Sequence, residues 1–265
     1  MVQGTSSGAG KSVLVTALCR IFARAGYRVA PFKSQNMSLN AAVPVDGGEI
    51  GRAQAAQAEA AGIEPTVDMN PILLKPEADD RSQIVVRGAP LGTLGFARYR
   101  AMRETLLPIV AESLARLRLA SDLVIIEGAG SPAEINFRDE IVNMPIARLA
   151  DAPVLLVGDI DRGGVFAALY GTLALLPPDD RGRIAGLIVN KFRGDADLLL
   201  PGLDEIAALT GVPVLGTIPY IVERLVPSED AFDLETTAPA RGAHLIDVAV
   251  VHLPRIGRAS CRERV

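Results

Sequence analysis

Near the start of the chain, Gly4-Thr5-Ser6-Ser7-Gly8-Ala9-Gly10-Lys11-Ser12 joins two different periodicities. Met1-Val2-Gln3 leaves room only for the end of a strand, whereas Val13, Leu14, Ala17, Leu18, Ile21 and Phe22 recur at helical spacing. A glycine-rich turn between strand and helix that closes in Gly-Lys-Ser is a phosphate cradle. Its glycines let backbone N–H groups point at phosphate oxygens, and the helix N-terminus adds a partial positive charge. Thr5, Ser6, Ser7, Gly8, Ala9 and Gly10 would wrap the phosphates, Lys11 would reach the outer ones, and the Ser12 hydroxyl would ligate magnesium. The strict pattern has a glycine where Thr5 stands; here the glycine is Gly4, one residue earlier, a known variant of the loop. The competing reading is a glycine-rich turn that only caps a helix.

Downstream, strand-like and helix-like runs alternate. Arg28 to Lys33 reads as a short strand, the alanine-rich run from Glu49 to Gly62 as a helix, Asn70 to Pro76 as an extended piece and Gln83 to Gly88 as a strand. From about Arg98 to Ala120 the pattern is helical, with a break or kink expected at Pro108. The second half then repeats apolar strands running into polar loops: Leu123–Ile126 into Glu127, Val154–Gly158 into Asp159, and Ile184–Val189 into Asn190, with a last strand at Val212–Gly216. Near-continuous apolar strands are buried on both faces, so the predicted fold is α/β: a P-loop NTPase with a mostly parallel, doubly wound sheet. Ligands of such sheets bind beyond the carboxyl ends of the strands, which puts Lys11, Glu127, Asp159 and Asn190 on one rim.

Composition narrows the function class. Net charge is −4 with no basic block, against a nucleic-acid partner. No apolar run reaches the ~20 residues of a membrane helix, so no membrane partner is expected. Two cysteines, Cys19 and Cys261, exclude a disulfide framework and fit a reducing cytoplasm. Two histidines, His244 and His252, make a zinc site or a histidine triad improbable.

Long blocks then carry a resemblance. PFKSQNMSLN, GRAQAAQAEAAGI, MNPILLKP, IIEGAGSPAEIN, IVNM, GDIDRGGVFAALYGTLALL, IVNKFRGD and TGVPVLGTIPY follow the phosphate loop in order up to about residue 220. Together with the loop they resemble the adenosylcobyric acid synthase family of cobalamin biosynthesis, whose synthetase domain is similar to dethiobiotin synthetase. The resemblance implies ATP-dependent amidation of corrinoid side-chain carboxylates through acyl phosphates, taking adenosylcobyrinic acid a,c-diamide to adenosylcobyric acid. ATP and Mg²⁺ are the implied cofactors, with a corrinoid as substrate and ammonia from a glutaminase domain as nitrogen source. It leaves homodimer formation open.

The same resemblance implies roles one residue at a time. Glu127 matches a magnesium-ligating glutamate, as against a solvated loop acid or helix cap, and Lys33 matches a lysine facing the phosphates, as against a solvated loop lysine. Lys11, Lys33 and Glu127 are thus the expected catalytic set. Glu49 aligns loosely with a second magnesium carboxylate, although an acid at a helix N-terminus is expected in any case. Asn190 sits where relatives hold adenine; the acid a guanine-reading motif needs comes too late, at Asp195, so ATP is preferred. Gln35, Asn36, Asp139, Asp159 and Asp161 are the expected substrate contacts, with helix capping as the alternative for Asp159 and Asp161. Gly8 departs from the acidic or amide residue usual in relatives, and the loop 136–141 is one residue shorter than the family's.

The expected organisation is an ATP-binding synthetase domain over 1–226, a linker over 227–243, and the first strand of a truncated class I glutaminase domain over 244–255. The final stretch, 256–265, reads as a sequencing-adapter artefact. Two rivals share the phosphate loop: another carboxylate-activating synthetase, such as cobyrinic acid diamide synthase or dethiobiotin synthetase, and a partitioning-type ATPase.

Overall fold

The computed structural model of the chain describes residues 1–78, 80–137 and 141–222. The expected linker, orphan strand and tail, and Asp139, lie outside the described residues. In chain order, β1 (Val2–Gly4) leads through the phosphate loop into α1 (Lys11–Arg24) and back as β2 (Val29–Phe32). The short strands β3 (Gln35–Met37), β4 (Ala41–Ala42) and β5 (Ile50–Gly51) precede α2 (Arg52–Ala61). Next come β6 (Ile72–Ala78), β7 (Arg81–Val86) and β8 (Ala89–Gly95), followed by α3 (Phe96–Ala101) and α4 (Arg103–Ala120). The alternating part is β9 (Leu123–Ile126), α5 (Asn143–Ala150), β10 (Val154–Asp159), α6 (Val165–Leu175), a one-turn α7 (Pro178–Arg181), β11 (Ile184–Phe192), α8 (Leu200–Thr210) and β12 (Val214–Pro219).

Successive residues of one strand belong to different cores. Val157, Ile125 and Ile188 pack with Leu14, Val15 and Cys19 of α1. Their neighbours Leu156, Leu187 and Val189 pack with Leu169 and Leu173 of α6 and Ile206 of α8. Ile126 joins Phe32 and the α4 residues Leu106, Val110 and Leu114. The two-residue period of a strand therefore meets apolar helices on both sides, which makes the sheet doubly wound. β1, β10, β11 and β12 pair in parallel in that order, β2 pairs in parallel with β9, and a parallel bridge between Val2 and Glu127 joins the two groups. The strand order across the sheet is β2-β9-β1-β10-β11-β12.

Two local outcomes differ from the sequence expectation. The helical run breaks at Met102, between α3 and α4, and continues through Pro108. Pro108 removes one hydrogen bond, that to the carbonyl of Glu104, and both residues lie on the exposed face, open to solvent. The buried stripe Leu106, Val110, Leu114 and Leu117 holds the helix against its core. The second outcome is a parallel–antiparallel side sheet, β3-β6-β7-β8, whose last two strands form a hairpin. Arg87 and Gly88 both take positive φ (46° and 78°), the backbone of a type I′ turn, so Gly88 ends no strand but reverses the chain. β8 is largely exposed and carries Pro90 and Gly92, so it has no alternating pattern to read. No helix among the described residues is long and apolar enough to cross a membrane.

Candidate functional site

The loop between β1 and α1 has no side-chain cap at the helix start. Gly10 takes φ 95°, and a Cβ there would stand 2.1 Å from the Asn190 side-chain nitrogen. Only glycine lets the loop turn and leaves Asn190 room to donate from Nδ2 to the Ala9 carbonyl at 2.9 Å. Asn190 thus braces the loop backbone from the end of β11. Lys11 Nζ spans the loop mouth, donating to the carbonyls of Ser6 (2.9 Å) and Gly130 (3.0 Å). The segment after β9 and the phosphate loop are thereby joined across 119 residues of sequence.

Glu127 is the hub. Its position one residue past β9 is fixed by backbone bonds on both sides: its N–H donates to Phe32 O, and Gly128 N–H donates to Val2 O, each at 2.8 Å. The residue is 2% exposed. Oε1 accepts from Ser12 Oγ (2.9 Å) and Lys33 Nζ (2.7 Å), and Oε2 accepts from Gln57 Nε2 (2.5 Å). Burial works against its ionisation; the Lys33 charge and the hydrogen bonds from Lys33, Gln57 and Ser12 outweigh it and hold the carboxyl below the usual range. Ser12 and Glu127 are hard oxygen donors side by side, a set that fits Mg²⁺, an ion that takes one or two protein oxygens and fills its shell with water and phosphate. No cluster of three or more His, Cys, Asp or Glu side chains exists among the described residues, so the donor set is that sparse kind.

Behind Glu127 lies a buried amide network. Gln54 and Gln57 sit three residues apart on the buried face of α2, between alanines. Asn36 Nδ2 donates to Gln54 Oε1 at 3.1 Å, and Asn70 accepts from Gly51 N–H while donating to the carbonyls of Lys33 and Ile72. Asn70 therefore fixes the backbone of Lys33 itself. Gln54 Nε2 and Gln57 Oε1 are buried without a hydrogen-bond partner among the described residues, a cost of roughly 1–3 kcal/mol each that native folds rarely carry outside working sites. Asn143, at φ 45°, donates to the carbonyls of Ala129 and Ser131 and accepts from Ala129 N–H, which shapes the loop that offers Gly130 O to Lys11.

The other expected residues divide. Asp159, at the end of β10 and in register with Asn190, is 7% exposed and accepts from Lys191 Nζ at 2.8 Å. Its Oδ1 also accepts from Asp161 N–H, so it closes the turn of its own loop, and Asp161 pairs with Arg193 at 3.0 Å. Gln35 accepts from the Tyr99 hydroxyl. Glu49 pairs with Lys75 at 2.7 Å and has no contact with Glu127 or Ser12 among its described bonds. Gln54, Gln57, Asn70, Asn143 and Lys191 were not singled out from sequence. Two glutamines on the buried stripe of an alanine helix were the one local signal that could have found the first pair.

The phosphate-loop chain matches the model of the CobQ/CobB/MinD/ParA nucleotide binding domain over residues 1–229. It is similar to the cobyric acid synthase of Sorangium cellulosum (strain So ce56), 64% identical over 97% of this chain and 50% of that protein. The cobyric acid synthase of Dehalococcoides mccartyi (strain CBDB1) is 60% identical over 97% of this chain and 51% of that protein. The probable cobyric acid synthase of Methanothermobacter thermautotrophicus is 57% identical over the same shares. The chain spans about half the length of the curated relatives it matches. A parallel sheet whose strand ends gather Lys11, Ser12, Glu127 and Asn190 around one glycine loop, matched by that model over most of its length, belongs to the CobQ/CobB/MinD/ParA nucleotide-binding domain family.

Proposed function

We propose that the chain is the ATP-dependent synthetase part of a cobyric acid synthase, amidating corrinoid side-chain carboxylates through acyl phosphates in cobalamin biosynthesis. The observation that carries this reading is the Ser12–Glu127–Lys33 cluster set against the mouth of the phosphate loop. A carboxylate is a poor electrophile, so its oxygen first attacks the γ-phosphorus of ATP; the bond to the β-phosphate oxygen breaks and ADP leaves. The lone pair of ammonia then attacks the acyl carbon, the bond to the phosphate oxygen breaks, and inorganic phosphate departs while nitrogen loses a proton. Catalysis of the first step is positioning and charge neutralisation. Backbone N–H groups from Thr5 to Ser12 orient the phosphates, Lys11 and Lys33 offset charge building on the transferred group, and Glu127 and Ser12 would hold magnesium. That ion, when bound, supplies charge neutralisation at the phosphate oxygens.

Asn190 serves this chemistry by fixing the loop, and the sequence-based role in holding adenine is compatible with that position. Asp159 and Asp161, tied to Lys191 and Arg193, act here as loop supports. The test is corrinoid amidation by the purified chain with ATP, magnesium and ammonium chloride, using substrate carboxylates labelled with oxygen-18. Transfer of the label into inorganic phosphate, with ADP and amide formed together, is the expected result. Amide formation with no label in phosphate would overturn the acyl phosphate, and no ADP formation with any corrinoid acid would overturn the synthetase reading.

A further inference from the structure

Beside the phosphate site lies a cleft of a different character. It is lined by Gln35, Phe96, Tyr99, Arg100, Arg103 and Ile141 and holds about 320 Å³ of empty space, open solvent included. Gln35 stands two residues along the chain from Lys33, and Ser34 Oγ donates to the carbonyl of Ile141 at 2.7 Å, so the cleft and the Glu127 site share one piece of backbone. The Tyr99 hydroxyl, bonded to Gln35, ties α3 to that backbone. Phe96 is 50% exposed, whereas Ile141 is buried at 3%, which gives the cleft an apolar floor and an open aromatic wall.

Its two cations are Arg100 and Arg103. Arg28, Arg87, Arg116, Arg148, Arg162, Arg183 and Arg193 each have a carboxylate partner. Arg100 and Arg103 have none among the described residues, and Arg103 Nε is buried without any hydrogen-bond partner. A shielded guanidinium N–H with nothing to donate to costs free energy unless an anion supplies the acceptor. The arginine fork suits a carboxylate in particular, because it offers two parallel N–H groups to two oxygens.

We infer that this cleft binds a carboxylate-bearing arm of the substrate, with Arg100 and Arg103 on the carboxylate and Phe96 against the apolar body; this rests on the synthetase reading above. The cleft is far too small for a macrocycle, so only the carboxylate end of one arm would enter it. The same chemistry gives the cleft a direction. An arm that is still an acid carries the charge the arginines lack, and an arm already converted to an amide does not. The cleft therefore favours unamidated substrate and weakens its hold once the charge is gone.

The test measures corrinoid retention by equilibrium dialysis, followed by corrinoid absorbance, without nucleotide. Two probes are compared, a corrinoid carrying free carboxylic acid arms and its fully amidated counterpart, and Mg-ATP affinity is titrated separately for every variant. Arg100 is exposed, so Arg100→Gln leaves the core untouched; Arg103→Lys keeps the charge but loses the fork. We expect Arg100→Gln and Arg103→Lys each to weaken retention of the acid form about tenfold, with Mg-ATP affinity unchanged. Arg100→Gln/Arg103→Gln should also abolish the preference for acid over amide. Wild-type retention and preference in that double variant would overturn the cleft as the site. If the wild-type chain binds Mg-ATP but neither corrinoid, the synthetase reading falls, and this inference with it.

Discussion

The carboxylate site and the arginine cleft meet at one short piece of backbone, Lys33 to Gln35, yet they treat charge in opposite ways. Glu127 is buried and every donor it needs comes from the chain: Lys33, Ser12 and Gln57. Arg100 and Arg103 hold charge that no described side chain answers. A buried ion that must stand in one geometry is paired internally, because an unpaired one would cost several kcal/mol. A group meant to meet a diffusing ligand keeps its bonding capacity for that ligand. The difference separates a preorganised reaction centre from a recognition surface.

The largest effect should come from breaking the internal pair. Glu127→Gln removes the carboxylate charge that faces the buried Lys33 ammonium at 2.7 Å, so unfolding stability should fall by about 3–5 kcal/mol in urea titration. Turnover should fall further than ATP affinity, since the phosphate contacts remain. Lys33→Met combined with Glu127→Gln should regain much of the stability but none of the turnover. An unchanged urea midpoint for the single variant would mean that the pair is not desolvated.

Lys11→Ala tests the loop mouth. Its ammonium lies at the mouth of the phosphate loop, donating to the Ser6 and Gly130 carbonyls, so the fold should persist. Mg-ATP affinity measured by calorimetry should drop at least ~100-fold, about 2.7 kcal/mol. Wild-type affinity would remove Lys11 from the phosphate site.

Gln57→Leu sharpens the comparison through pH. The Glu127 carboxyl is held below its unfolded value of 4.5, so its ionised form contributes stability that is present above that value and lost as pH falls through the native one. Without the Gln57 donor the native value rises, and acid unfolding followed by circular dichroism should begin at a higher pH. The expected loss near neutrality is about 1.5–3 kcal/mol, the range for a hydrogen bond to a charged group. Coincident acid transitions for variant and wild type would make Gln57 a bystander.

The smallest effect belongs to a pair in water. Arg28 donates from Nε, Nη2 and its backbone N–H to Asp122, and these hold the Asp122 carboxyl at about 2 against an ordinary 3.8. That contribution is present above the ordinary value and fades as pH falls toward about 2. Arg28→Ala should return the Asp122 titration, read by NMR, to its ordinary value with no measurable change in melting temperature, because exposed pairs are screened. A clear fall in melting temperature would show that solvent exposure is not what separates this pair from Lys33–Glu127.

Much of the fold could be read from local pattern. The strands Leu123–Ile126, Val154–Asp159 and Ile184–Phe192 are apolar on both faces, and a chain with such runs between helices has few places to put them. The α2 helix was visible in its alanines and its closing Gly62. β8 was not, because an exposed edge strand needs no apolar alternation, and the break at Met102 was not, because Pro108 is the stronger local signal while burial of Leu106 and Val110 decides the outcome. Within the site, Lys11 and Ser12 could be proposed from the motif and Glu127 from its strand end, whereas Lys33 came only with the family resemblance. Gln57 and Asn143 could not be assigned a role, since each acts on a group that is remote in sequence.

What the sequence determined by itself is the phosphate loop, the alternation of buried strands and helices, and the placing of polar residues just after strands. These are set by φ/ψ preference, side-chain period and the exclusion of apolar surface from water, all of which act over a few residues. What only the tertiary structure decided is which charges meet. Lys33 and Glu127 lie 94 residues apart and touch because β2 and β9 pair in register. Arg100 and Arg103 remain unanswered because the chain brings no described carboxylate to them. Coulombic and hydrogen-bonding partners are fixed by distance in space, and that distance is set by strand pairing and core packing, not by spacing along the chain.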